Sequence, residues 1–449
     1  MTRLAGSVSA VVLWMQVCAT AVVGAPVPPP IAITHVTVID TRGGPSQPDM
    51  TVLIRDGRIA RVERTAGAIP GVTIVEGRGK FLIPGLWDAH VHLSWATASA
   101  LPVLVANGVT GVRDCGSDLT EIDRWRSKIA DGSLIGPRIV RAGPILNGRS
   151  FNRYQLETGN PDQARGIVRL LKWVGVDFIK VHRRVPRDVY FAIVDEAGKQ
   201  GLKVVGHIPM TVRPEEAADA GQLIEHEETL FEGTFSESLT AAQLPEAIHR
   251  FVADGAADSL FARFVRDHTP VTSTLAAWHY AVGHPDSSWL SDPRMRYVAR
   301  SQKDAGRHAA PVAPDDMENA RRTVAAYDQV LSRLNRAGVT LLAGTDLAGW
   351  RLPGFMLHEE LVTLVEAGLS PLQALRAATM NTATALGRED EFGSVTVGRR
   401  ADLVLLDADP LADIHNSQRI AAVVLGGRLL RRADLDSLLR AGAAMAREN

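Results

Sequence analysis

The stretch Gly85-Leu-Trp-Asp-Ala-His-Val-His92 reads as a short apolar strand that ends on two histidines two residues apart. Successive side chains on a strand alternate sides, so residues i and i+2 face the same way. His90 and His92 can therefore point together at one ion, as they could not from a helix. Neutral imidazole is a good donor for zinc and related cations. His-x-His alone is a short motif that recurs by chance, so its standing depends on the rest of the chain.

Working outward, the middle of the chain alternates short apolar runs with helical stretches, the pattern of a parallel α/β sheet. Eight strands are predicted: Leu86–Leu93, Val109–Asp114, Arg138–Leu146, Asp177–His182, Lys203–His207, Gln222–His226, Pro270–Leu275 and Val339–Thr345. Glycine closes the preceding helix in Ala106-Asn-Gly108, Trp173-Val-Gly175, Lys199-Gln-Gly201 and Arg336-Ala-Gly338. Eight such units fit a (β/α)8 TIM barrel, an α/β fold whose chemistry sits at the strand C-termini. Two separate doubly wound domains are the architectural alternative. The connection Leu230 to His268 is expected to place helices over the barrel mouth.

Both ends of the chain read as β-rich. Ile31–Ile39, Thr51–Ile54, Arg58–Val62 and Val72–Val75 are rich in β-branched residues, separated by turn signals such as Asp56-Gly57. Gly393–Leu406 and Ala421–Leu425 are similar, followed by the turn Gly426-Gly427 and, from Asp434, a helix expected to fray. Residues 26–84 and 386–449 are therefore expected to build one small β-sandwich, with the barrel of residues 85–385 inserted in it.

The 449 residues carry a net charge of -1 with 46% hydrophobic and 5% aromatic content, which points away from nucleic acid as a partner. Residues 1–25 read as a signal peptide: Arg3, an apolar run from Val8 to Val23, then Val23-Gly24-Ala25 before a proline-rich stretch. That predicts an exported protein, periplasmic or secreted, with no stable membrane span after processing. An uncleaved anchor is the alternative. Of the two cysteines, Cys18 would leave with the signal, so Cys115 would have no disulfide partner.

Every strong ligand candidate falls at a predicted strand end: His90 and His92, Lys180, His207, His226 and Asp346. A histidine at a strand end is by itself more often packed or exposed than a ligand, Lys180 alone reads as a solvated lysine, and Asp346 alone as a helix cap. Six metal-compatible residues at five of eight barrel mouths are a different matter.

The segments Pro84-Gly-Leu-Trp-Asp-Ala-His-Val-His92, Phe178-Ile-Lys-Val181, Val205-Gly-His207, Ile224-Glu-His226 and Gly344-Thr-Asp346 resemble the metal signature of the amidohydrolase superfamily. Their order and spacing are closest to its imidazolonepropionase-like and Xaa-Pro dipeptidase-like branch. Gly368–Thr379 and Gly398-Arg-Arg-Ala-Asp-Leu-Val404 extend the likeness, which runs over roughly residues 31 to 430. The resemblance implies a barrel interrupting a small β-sandwich and a site for two divalent metal ions, zinc by default. It implies that His90, His92 and Asp346 hold the more buried ion and that His207 and His226 hold the more exposed one. Lys180 would bridge them as a carbamate formed with CO2, because an ammonium cannot ligate a cation whereas a carbamate offers anionic oxygens. Paired metals would lower the pKa of a shared water, and Asp346 would take its proton and pass it to the leaving amine. A one-metal site without carbamylation is the competing reading.

The expected reaction is hydrolysis of an amide C–N bond, releasing an amino acid from a dipeptide or N-acyl amino acid. A cyclic amide or lactone hydrolase, and a catalytically silent metal-binding barrel, are the alternatives. Candidate substrate contacts are Arg149 and Tyr154 after the third strand and His182 and Arg183 after the fourth; His279, after the seventh, is a candidate donor to the developing oxyanion. Each also reads as loop surface or packing. Glu227 and Glu228 read either as partners of the ligating imidazoles or as an acidic helix start. Some dipeptidase-like members carry a further His or Tyr after the fifth-strand histidine, whereas Ile208-Pro209-Met210 follows here. The exposed sheet edges and the long insertion are candidate surfaces for homo-oligomer contacts.

Overall fold

The computed structural model describes residues 29–65, 67, 69–231, 239–284, 287–307 and 314–448. The predicted signal peptide lies outside the described residues.

The N-terminal strands are β1 (Ile31–Val38), β2 (Gln47–Arg55), β3 (Arg58–Arg64), β4 (Thr73–Glu76) and β5 (Phe81–Pro84). The β2–β3 hairpin turns at Asp56 and Gly57, both with positive φ (52° and 72°), the twist a tight hairpin needs. The central strands are β6 (Leu86–Val91), β7 (Val109–Asp114), β8 (Arg138–Arg141), β9 (Ile145–Asn147), β10 (Gln155–Glu157), β11 (Ile179–Val181), β12 (Val204–Gly206), β13 (Leu223–Glu225), β14 (Val271–Ser273) and β15 (Leu341–Ala343). The C-terminal strands are β16 (Leu403–Leu406), β17 (Ile420–Leu425) and β18 (Arg428–Arg431).

Both chain ends join one eight-stranded sheet in the order β18-β17-β16-β5-β1-β2-β3, with β4 also paired to β1. The seam is β5 against β16, antiparallel, with Leu82 opposite Leu405. The preceding strand β5 had no place in the sequence reading, yet it is the piece that ties the two ends together. Ile31, Ile33, Val36, Val52, Ile54, Leu403 and Leu405 share one buried cluster of this sheet.

The central strands are all parallel, in two sheets of order β6-β7-β8 and β10-β9-β11-β12-β13-β14-β15. Backbone bonds link the two sheets on both sides. Asp177 N–H donates to Arg141 O at 2.9 Å on one side, and His92 N–H to Leu347 O at 2.9 Å on the other. Each of the eight expected strands is present. The third is broken into β8 and β9 because Pro144 has no N–H to donate and Gly143 sits at φ +76°. The predicted helix ends at Gly108, Gly175, Gly201 and Gly338 all have positive φ, which glycine adopts without a Cβ clash.

Two expectations about helices are corrected. The connection after β13 supplies helices Leu244–Ala253 and Ala256–Arg266, which bury Ile248, Phe261 and Phe264 in the main core and pack beside helix Pro314–Ala337. These two helices belong to the outer helical layer, where their apolar faces are covered, whereas residues 232–238 of the same connection lie outside the described residues. The C-terminal helix Arg432–Glu448 is docked along its length: Leu435, Ala443 and Ala446 are buried, and Gly442 lets it approach Val103 of helix Ala100–Ala106. No helix among the described residues is long and apolar enough to cross a membrane.

Candidate active site

The parallel strands carry an apolar floor and a polar rim. Phe178, Val205 and Leu223 lie in one buried cluster with Trp87 and Leu342. Two residues further along the same strands stand Lys180, His207 and Glu225, on the same side by strand alternation.

His90 and His92 turn their Nε2 atoms toward each other, 3.3 Å apart. Their Nδ1 atoms are engaged elsewhere, His90 with the Glu225 carboxylate and His92 with Gly116 O at 2.9 Å. The inward nitrogens are thus the ones without protons, as ligation requires. Asp346 Oδ1 stands 3.2 Å from His92 Nε2 and 3.6 Å from His90 Nε2, and the donor atoms of the three lie within 4.8 Å of one another. Ligands about 2.0–2.1 Å from a tetrahedral zinc lie roughly 3.3 Å apart, so the spacing suits a shared ion.

Lys180 is buried, with Nζ 3.4 Å from His90 Nε2, and no carboxylate is paired with it among the described residues. A bare ammonium is poorly served there. His226 engages Thr274 Oγ1 through Nδ1 at 2.7 Å, which leaves Nε2 available, whereas the buried Nδ1 of His207 has no partner among the described residues. The two rings are 4.8 Å apart, and His90 and His226 are 4.5 Å apart. All six sequence-predicted ligands therefore come together, and the donor set fits a metal centre.

Local backbone strain helps to assemble this set. His226 and Asp346 have positive φ, 68° and 49°. Adjacent strand residues face opposite sides, yet Glu225 and His226 both serve the site because His226 leaves strand geometry as β13 ends.

Electrostatics favour the ligand forms. Burial, then Lys180, holds the His90 imidazole well below its ordinary value, and burial does the same for His207 and His226. Burial pushes the Asp346 carboxyl up, but Arg351, His92 and His90 together outweigh it and hold the group well below the usual carboxylate range. Cys115 also lies beside His90 and Glu225, but burial pushes its thiol up to about 12, so it packs as a small apolar group.

Several supporting residues escaped the sequence reading. Glu225 also pairs with buried Arg113, whose guanidinium donates to Ala89 O at 2.6 Å and Thr272 Oγ1 at 3.0 Å. Asp88 accepts from Thr345 N–H and Oγ1–H at 3.0 and 2.6 Å, fixing the residue before Asp346. The chain places Asp88 in the quoted motif and Glu225 beside His226, but a lone acid carries no label for the imidazole or backbone it will meet. Glu227 and Glu228 do not hold the ligand imidazoles in the bonds described: Glu225 and Thr274 do.

Above these groups opens a cavity of about 270 Å³, walled by Trp95, Gln155, His182, Arg183, Trp278 and Arg351. His182 and Arg183 are thus where the sequence placed them. Tyr154 stands behind the wall, its ring 5.4 Å from Trp95 and its hydroxyl bonded to Ser94 O. Arg149 is exposed and is not among the cavity-lining residues. His279 is displaced from its expected place: helix Leu275–Gly283 turns Trp278 to the cavity, and His279 Nε2 meets Asp328 at 2.9 Å instead.

The Amidohydrolase family profile matches residues 81–430. The chain belongs to the amidohydrolase family. This is a family of hydrolases acting on C–N bonds. Imidazolonepropionase from Symbiobacterium thermophilum is 26% identical over 416 residues, 85% of this chain and 90% of that protein. Adenine deaminase from Paracoccus denitrificans is 24% identical over 376 residues, 80% of this chain, and the chain spans about half (51%) of that protein's length. Bottromycin amidohydrolase has a similar structure, with a TM-score of 0.76 at 25% identity, covering 92% of this chain and 90% of that one.

Proposed function

We propose that this chain is an exported binuclear metallohydrolase that cleaves the amide bond of an N-acyl amino acid or dipeptide. In this reading residues 85–385 form a closed (β/α)8 barrel, and residues 26–84 and 386–449 form the β-sandwich beside it. The signal peptide of residues 1–25 directs export. The observation that carries the proposal is the pair of Nε2 atoms 3.3 Å apart, each ring locked by a bond at its Nδ1, with Asp346 Oδ1 alongside.

His90, His92 and Asp346 would hold one ion, His207 and His226 the other, and a carbamate on Lys180 would join them; histidine and carboxylate-type oxygens suit zinc. When bound, the metals supply an acidified water and polarise the substrate carbonyl. Asp346, kept ionised by its neighbours, accepts the water proton as oxygen bonds to the carbonyl carbon. It returns that proton to the leaving nitrogen as the C–N bond breaks. Trp95 and Trp278 enclose the acyl side of the cavity. The imidazolonepropionase likeness supports cyclic amide hydrolysis as a second reading.

The test is metal analysis of the purified protein together with a hydrolysis screen over N-acyl amino acids, dipeptides, hydantoin-like rings and lactones, with chelator and His90→Ala controls. Two ions per chain and chelator-sensitive amide cleavage are expected. One ion per chain, with full activity in Lys180→Ala, would sink the binuclear assignment.

A further inference from the structure

Arg351 is five residues beyond Asp346, on the cavity wall, and its ion pair is only half used. Its Nη2 stands 3.1 Å from Asp346 Oδ2 as an ion pair, while its Nε is buried and has no acceptor among the described residues. Nε–H and Nη2–H form one edge of the guanidinium, spaced to meet both oxygens of a single carboxylate. Asp346 cannot satisfy that edge, because its Oδ1 is committed to the His90 and His92 side. Asp346 Oδ2 is meanwhile paired with a cation.

The loop that carries Arg351 is anchored on both flanks. Trp350 stacks on Tyr280 at 5.4 Å and packs tilted against Trp289 at 5.8 Å, Leu352 is fully buried, and Arg351 N–H bonds Ala348 O at 3.2 Å. Movement is thereby left to the Arg351 side chain, which is a quarter exposed.

We propose that Arg351 is the specificity residue that reads a carboxylate on the leaving half of the substrate, and that it exchanges its one-nitrogen ion pair with Asp346 for a two-pronged pair with that carboxylate. The exchange frees Asp346 Oδ2 as the substrate seats, so an amide without the carboxylate meets a capped aspartate. This inference rests on the amide-hydrolase reading above and adds to it the residue that selects the leaving half.

The test compares N-benzoyl-L-phenylalanine with N-phenethylbenzamide, the same amide without its carboxylate, in wild type, Arg351→Met and Arg351→Lys. Wild type is expected to favour the acid by about 10²-fold or more in kcat/KM, the scale for one desolvated charge pair. Arg351→Met should collapse that ratio toward one, mainly through KM for the acid. Arg351→Lys, with charge but no fork, should fall between them. If kcat/KM for both amides drops by the same factor, Arg351 only holds Asp346 in place and the proposal is wrong. It is equally wrong if the ratio is unchanged.

Should wild type hydrolyse neither amide, that class of substrate is excluded, and calorimetric binding of the same two compounds decides the arginine's role. Acid-selective binding that Arg351→Met abolishes upholds it, and binding without selectivity overturns it.

Discussion

Between His90 and Arg113 sits the buried carboxylate of Glu225, one oxygen on each. It holds the His90 ring in the tautomer that presents Nε2 and neutralises a buried guanidinium. Glu225→Gln should therefore lower metal affinity by about 10–100-fold and cost about 3–5 kcal/mol of stability. Metal titration and denaturant melts of the same variant check the two effects separately; unchanged affinity would mean that Glu225 serves Arg113 alone. Glu360 makes the opposite kind of statement. Burial pushes its carboxyl up to about 7 from an ordinary 4.5, with Ala276 N–H as one bonded donor at 2.8 Å. The folded chain then keeps a proton that the unfolded chain has lost, so stability falls as pH rises from about 4.5 to about 7. Glu360→Gln keeps an acceptor for Ala276 and removes the charge. It should raise Tm at pH 8 and leave it nearly unchanged at pH 4.5, and equal shifts at both values would refute this account.

At the scale of elements, the site depends on how closely β6 and the end of β15 approach. Gly344 follows β15, and a Cβ there would stand 2.8 Å from His90 Cβ and 2.9 Å from Thr272 Cγ2. Neither neighbour is the free end of a flexible chain. Gly344→Ala should cost about 1–3 kcal/mol by overpacking and, by displacing His90, weaken metal binding by about tenfold. Thermal melts and metal titration read both, and an unaltered affinity would show that the strand edge yields without moving the ligand. The eight strands were legible because each is a short apolar run, four of them following a helix that ends on glycine. The break between β8 and β9 was written in Gly143-Pro144 but only the backbone bonds show its consequence. His279 was misplaced for a related reason: the chain after β14 turns helical at once, and a helix aims neighbouring residues about 100° apart.

Over the whole molecule, the proposed ligands at the ends of β6, β11, β12, β13 and in the turn after β15 must hold together for an ion to bind, so binding and folding would be coupled. Chelation should lower Tm: an ion present at 100 times its Kd contributes about 2.7 kcal/mol. The shift should vanish in His92→Ala, and a chelator shift that persists there would place the stabilising ion elsewhere. The chain by itself determined the parallel α/β class, the family and the six residues that converge at the site, because strand periodicity and fixed strand ends are local properties that survive in one dimension. It could not determine which partner each ring nitrogen meets, that β5 and β16 close the end sheet, that helices Leu244–Ala253 and Ala256–Arg266 lie in the outer layer, or that Trp278 and Arg351 wall the cavity. Those follow from contacts between residues up to hundreds of positions apart. Such contacts are set by how the strands and loops pack together, which no local pattern in the sequence encodes.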